Sequence, residues 1–132
     1  MVCMNQIIIK KLTNDDWKIF KEIRLQMLSE EPQAYSFTFE EMSKRSYAEW
    51  RKNTAFDRAT ILTVWVDGKL AGMNGLYYEE KDRVAIWGMF VRKEFRGMGL
   101  GKKLIEEIEK EIRKDKGVKK IQISVTASQI PA

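Results

Sequence analysis

Residues Trp87 to Leu104 read WGMFVRKEFRGMGLGKKL, and this segment limits the fold more than any other in the chain. An apolar run ends at Val91, and three glycines follow at alternate positions, Gly97, Gly99 and Gly101. Leu100, Leu104, Ile105, Ile108 and Ile112 then form the apolar stripe of a helix whose opposite face is Lys and Glu. Glycine accepts the backbone conformations that turn amides inward and lets a ligand approach closely. A helix start adds amides with no internal partner and the positive end of the dipole. Together they suit an anion the size of pyrophosphate. Arg92, Lys93, Arg96, Lys102 and Lys103 gather here with only Glu94 against them. One favourable charge at a helix end is worth roughly 0.3–1 kcal/mol, so several donors must act together.

The rest of the chain supplies a sheet for this segment to join. Ile7 to Leu12 reads as a strand, and Thr13 with Asp16 forms a capping-box pattern that opens a helix to about Ser29. Trp17, Phe20, Ile23, Met27 and Leu28 share one face of that helix, with Glu22, Arg24 and Glu30 outside it. Glu31-Pro32 stops it. Tyr35 to Phe39 reads as irregular, and Ser46 to about Asn53 as a short helix. The β-branched run Thr60 to Val66 enters Asp67-Gly68, the strongest short hairpin signal, and Leu70 to Tyr78 returns. A polar turn at Glu80 to Arg83 leads to Val84–Val91, apolar enough to be covered on both faces. Gly117 is placed to end the long helix in a left-handed conformation, and Val118 to Thr126 alternates as a last strand. The order β-α-α-β-β-β-α-β predicts an α+β (mixed α/β) fold: one domain over residues 1–132, with a mostly antiparallel central sheet flanked by helices.

Composition removes whole classes of chemistry. The chain of 132 residues has no histidine and a single cysteine, Cys3. It therefore holds no Ser-His-Asp or Cys-His machinery, no zinc helix, no internal disulfide and no dithiol pair. No metal site is expected. The apolar stretch at Ile7 to Ile9 precedes its lysines, the reverse of a signal peptide, and no run reaches membrane-spanning length. A cytoplasmic location is expected, with no membrane partner. The net charge of +5 permits nucleic acid, but no basic-aromatic interleaving supports it, and none is expected as a partner.

The loop fails the two commonest phosphate patterns. Lys102 is followed by Lys103, and Arg96 stands where a Walker loop needs its first glycine. Gly97-x-Gly99 is followed by Lys102 where a dinucleotide fingerprint needs glycine. Arg96-x-x-Gly99-x-Gly101, after a strand ending in Val91 and before an amphipathic helix, instead resembles the acetyl-CoA signature of the GNAT superfamily of N-acetyltransferases. The capped first helix, the segment Glu31 to Phe37, the Asp67-Gly68 hairpin and the run Ile123 to Ser128 resemble that superfamily too, in its order.

The resemblance implies that Met89, Phe90 and Val91 offer strand main chain to the pantetheine arm of acetyl-CoA. It implies that Arg96, Gly97, Met98, Gly99, Leu100, Gly101 and Lys102 hold the pyrophosphate, and that Tyr35 and Phe37 line the acceptor pocket. Members continue past their fifth strand with a helix, whose tyrosine protonates the leaving thiolate, and a hairpin. This sequence stops soon after Thr126, and Gln129 stands where members commonly have a cofactor-binding Asn, so a C-terminally truncated version of the fold is expected. Strand 5 would then show an open edge, which predicts a homodimer.

The expected activity is direct transfer of an acetyl group from acetyl-CoA to a primary amine of a small molecule or peptide, since no cysteine lies near the site. The amine must lose a proton from a pKa near ~10.4. Glu79, Glu80 and Glu40 are the candidate bases, and the Phe90 amide the candidate oxyanion donor. The alternative is a non-catalytic CoA-binding or protein-interaction module with an incomplete acetyltransferase fold.

Overall fold

The hairpin signals and the alternation of the strands build one twisted sheet. The computed structural model describes residues 6–30, 38–54 and 59–123. Its strands are β1 (Ile7–Lys11), β2 (Ala59–Val66), β3 (Lys69–Glu80), β4 (Arg83–Val91) and β5 (Lys120–Ile123), ordered β1-β2-β3-β4-β5. The first three pairings are antiparallel, and β5 joins β4 in parallel. Asp67 and Gly68 both take positive φ, 49° and 81°, as the tight β2–β3 turn requires. The α+β fold and the mostly antiparallel sheet flanked by helices stand as expected.

Helices cover both faces. On one lie α1 (Trp17–Glu30), α2 (Phe39–Ser43) and α3 (Tyr47–Thr54). Phe20, Ile23, Met27 and Trp50 pack there with Met73 and Phe90 of the sheet. On the other lies α4 (Leu100–Arg113), whose Leu104, Ile108 and Ile112 meet Val64, Leu76 and Val84. β4 is thus covered on both sides, as its composition predicted. A single 3-10 turn at Asn14–Asp16 starts α1, and the Thr13 amide and hydroxyl both donate to Asp16 Oδ2, at 2.9 and 3.1 Å. No helix among the described residues is long and apolar enough to cross a membrane.

Three readings change. Phe39 was expected to end the irregular segment that begins at Tyr35, but it opens α2 because Thr38 caps that helix, its side chain accepting from the Glu41 amide at 3.1 Å. Gly117 is not among the positive-φ glycines. The helix stops at Arg113, with Lys114 still right-handed, and the Gly117 amide donates to Asp115 Oδ1 at 2.9 Å. Arg24 belongs to the buried side of α1, only 8% exposed. Cys3, the Glu31-Pro32 stop, and the end of the last strand from Ser124 onward lie outside the described residues, as does Gln129.

The hydrogen bond from the Thr13 main chain, with Lys10 nearby at 3.4 Å, holds the Asp16 carboxyl below its usual pKa despite partial burial. A folded-state pKa below the unfolded one contributes stability above the unfolded value, and that stability is lost as pH falls through the folded value. Asp16→Asn is therefore expected to destabilise the protein by about 1 kcal/mol at pH 7 in urea titrations. The gap to the parent should close below about pH 4. An equal gap at pH 7 and pH 3 would contradict this account.

Candidate functional site

The glycine loop leaves β4 along a braced path. The Arg92 amide donates to Ala71 O on β3 at 2.8 Å, and its side chain reaches Glu22 of α1 at 2.9 Å. A 3-10 turn at Lys93–Phe95 follows, and Arg96 Nε donates back to Val91 O at 2.9 Å. The Arg96 guanidinium also lies 6.0 Å from the centre of the Phe90 ring. Arg96 therefore ties the loop to the end of β4.

Beyond that brace the main chain turns inward. Gly97 and Gly99 take φ of 85° and 75°, and a Cβ on either would meet nothing within 4 Å. Both glycines are needed for conformation, and the space beside them is open. Gly99 caps α4 with no side-chain hydrogen bond. The first helical bond that closes on the cap runs from the Lys103 amide to Gly99 O at 3.1 Å. The amides of Leu100, Gly101 and Lys102 are thus left without an acceptor inside the helix. Lys93, Arg96, Lys102 and Lys103 are exposed around this turn. Open space, amides without a helical acceptor and nearby cations are features that suit an anion such as a diphosphate.

The second element is a bulge in β4. Gly75 pairs with Trp87, but Met73 pairs with Phe90, so Gly88 and Met89 together face Asn74. Gly88 takes φ of 65° there. The extra residue puts Trp87 and Phe90 on the α1 side and Met89 and Val91 on the α4 side. It also sets the amides. Arg92 bonds to β3 through its amide, so by alternation Phe90 faces β3, opposite Met73, while Met89 and Val91 face the other edge. β5 pairs only with Arg83–Ile86, so Trp87–Val91 has no β5 partner among the described residues. The Phe90 amide, expected as an oxyanion donor, is turned into the sheet by this register. The amides that face the edge away from β3 are those of Met89 and Val91.

Each candidate base is held in an ion pair. Glu79 and Glu80 sit at the hairpin end of β3, paired with Arg83 at 3.0 and 3.5 Å. Glu40 is exposed on α2 and paired with Lys44 at 3.1 Å. Tyr35 and Phe37 lie outside the described residues. Two features went unread in the sequence. Gly88 in an apolar strand is itself a signal of a bulge. Arg24 lies over the Trp87 ring at 5.3 Å, and its Nη1 is 3.6 Å from where a Cβ on Gly88 would stand.

A model of a family described as the acetyltransferase (GNAT) family matches residues 19–132. Solved structures share the fold. An aminoglycoside acetyltransferase, HMB0005, from an uncultured soil metagenomic sample is 19% identical, with a TM-score of 0.72 over 92% of this chain and 81% of that one. A possible acetyltransferase from Clostridium difficile 630 is 17% identical, with a TM-score of 0.72 over 94% and 82%. The aminoglycoside N-acetyltransferase AAC(6')-Iy in complex with CoA is 15% identical, with a TM-score of 0.71 over 97% and 82%. At these identities the likeness concerns the fold. A search of curated proteins found no match.

Gly88→Ala tests the bulge. The new Cβ would stand 3.3 Å from Met73 Cε at a positive φ, so a loss of about 1–2 kcal/mol is expected by urea denaturation. Unchanged stability would show that β4 runs without the extra residue.

Proposed function

The chain belongs to the acetyltransferase (GNAT) family, and on that premise we propose that it is an N-acetyltransferase using acetyl-CoA as donor and a primary amine of a small molecule or peptide as acceptor. The observation that carries this reading is the cradle at Gly97–Lys102, with open space at both positive-φ glycines and amides unclaimed by α4. In this reading the amides of Gly97, Met98, Gly99, Leu100, Gly101 and Lys102 hold the diphosphate. Arg96 holds the loop to Val91. Met89 and Val91 present amides along the open half of β4 to the pantetheine arm and to the carbonyl oxygen of the thioester.

Acetyl-CoA, when bound, supplies an activated acyl group that a neutral amine can attack. The chain's own contribution begins with position. Holding both reactants in a reactive pose can supply up to ~7–11 kcal/mol in ideal cases. An amide at Met89 or Val91 then stabilises the charge that develops on the carbonyl oxygen. Glu79, Glu80 and Glu40 remain the carboxylates proposed to accept the proton of the amine, each now held in an ion pair. Those ion pairs, two of them at the hairpin end of β3, favour the second reading, a CoA-binding module without turnover. Self-association as a homodimer belongs to the proposal as well, supported by Ile121, which β5 leaves 52% exposed.

Calorimetric titration with acetyl-CoA, followed by a thiol-release assay over a panel of amines, separates these readings. Saturable binding with amine-dependent thiol release is expected. Gly99→Ala, strained at φ of 75°, should weaken binding by about tenfold. Binding without turnover would select the module, and no binding would overturn both.

A further inference from the structure

Among the described residues two polar side chains in the sheet are fully buried, Thr63 and Asn74. Thr63 is satisfied, since its hydroxyl donates to Lys10 O at 3.0 Å and accepts from Trp65 Nε1 at 2.9 Å. Asn74 is not. Its Nδ2 and Oδ1 are both buried and neither has a hydrogen-bond partner. A carboxamide can donate two hydrogen bonds and accept two, so none of this capacity is used.

Its place in the sheet gives that capacity a target. Asn74 stands opposite Leu62 on β2 and opposite the two-residue bulge Gly88–Met89 on β4. By alternation it shares the face of Leu76, which packs toward α4. From the other face the bulge is crowded, with Met73 Cε at 3.3 Å and Met27 Cε at 3.8 Å from a Cβ position on Gly88. A bulge frees main-chain groups from the ladder. Here a buried polar side chain with unused donors and acceptors stands opposite them in the ladder, in a layer whose other members include Leu62, Val64, Ala71 and Leu76. Sequences break the local rule for burial mostly at functional sites.

We propose that Asn74 is a positioning residue for the donor site. Its carboxamide is linked to the main chain of Gly88–Met89 through one buried water and so fixes the direction of the Met89 amide at the edge away from β3. The importance of that direction rests on the reading of this edge as the acetyl-CoA site. Asn74 touches no reacting atom in this account and acts through the bulge.

The inference separates stability from affinity. Asn74→Leu replaces the buried carboxamide by an apolar group of similar size, whereas Asn74→Ala leaves a void. The alanine variant should melt below both the parent and the leucine variant. Both should nevertheless weaken acetyl-CoA binding in calorimetry by about tenfold. A purely structural role would make affinity follow stability. Crystal structures of the free protein and its leucine variant give the independent readout. A water bridging the carboxamide and the bulge main chain is expected in the parent, and the Met89 amide is expected to turn in the variant. A bulge that superposes in both, or affinities within twofold of the parent, overturns the proposal. Should the leucine variant not fold, the alanine variant carries both readouts. Should the parent protein not bind acetyl-CoA, the reading of the donor site fails, while the crystal structures still decide whether Asn74 holds the bulge.

Discussion

Between Gly75 and Met73, β3 advances by two residues while β4 advances by three, from Trp87 to Phe90, and this mismatch organises everything around the site. Strand geometry gives side chains a period of two, so one extra residue exchanges the faces of all that follows. Phe90 joins Phe20 and Trp50 beneath α1, while Met89 and Val91 turn to α4. The same step sends the Val91 carbonyl to the edge away from β3, where Arg96 takes it up. Without the bulge the loop would leave β4 with its brace facing the wrong layer. The constraint is local, a single glycine at φ of 65°, and its consequences reach both cores.

The loop solves a second problem, how to keep donors available in a folded protein. Buried amides are nearly always paired, so free ones must be kept open by design of the backbone. Gly97 and Gly99 do this by conformation, and α4 does it by starting at Leu100 without a side-chain cap. The cations nearby add attraction without rigid geometry, because Lys102 and Lys103 are exposed. Direction therefore comes from the main chain and attraction from the side chains.

Much of this was legible from residues alone. Asp67-Gly68 fixed one hairpin, the Thr13 and Asp16 pattern fixed the first helix start, and alternate glycines marked the loop. These signals work because each lies within a few residues of the structure it determines. The missed features depend on contacts between distant segments. Arg24 is buried because Trp87 and the bulge arrive from the sheet to cover it, so its charge placed it outside the apolar stripe. Which edge the Phe90 amide faces depends on a ladder slip that periodicity cannot count. Gly117 looked like a helix stop, but Asp115 accepts its amide in a turn that needs no left-handed residue. The α2 helix, by contrast, was signalled locally by Thr38 and Glu41 and was simply not read.

The central claim is that the main chain at the start of α4 grips a diphosphate, and the most direct measurement follows the amides themselves. Proton–nitrogen spectra of the isotope-labelled protein, recorded through a titration with coenzyme A lacking the acetyl group, separate binding from chemistry. The account predicts large, saturable displacement of the Gly97 to Lys102 resonances. The same resonances holding still at saturating coenzyme would contradict it.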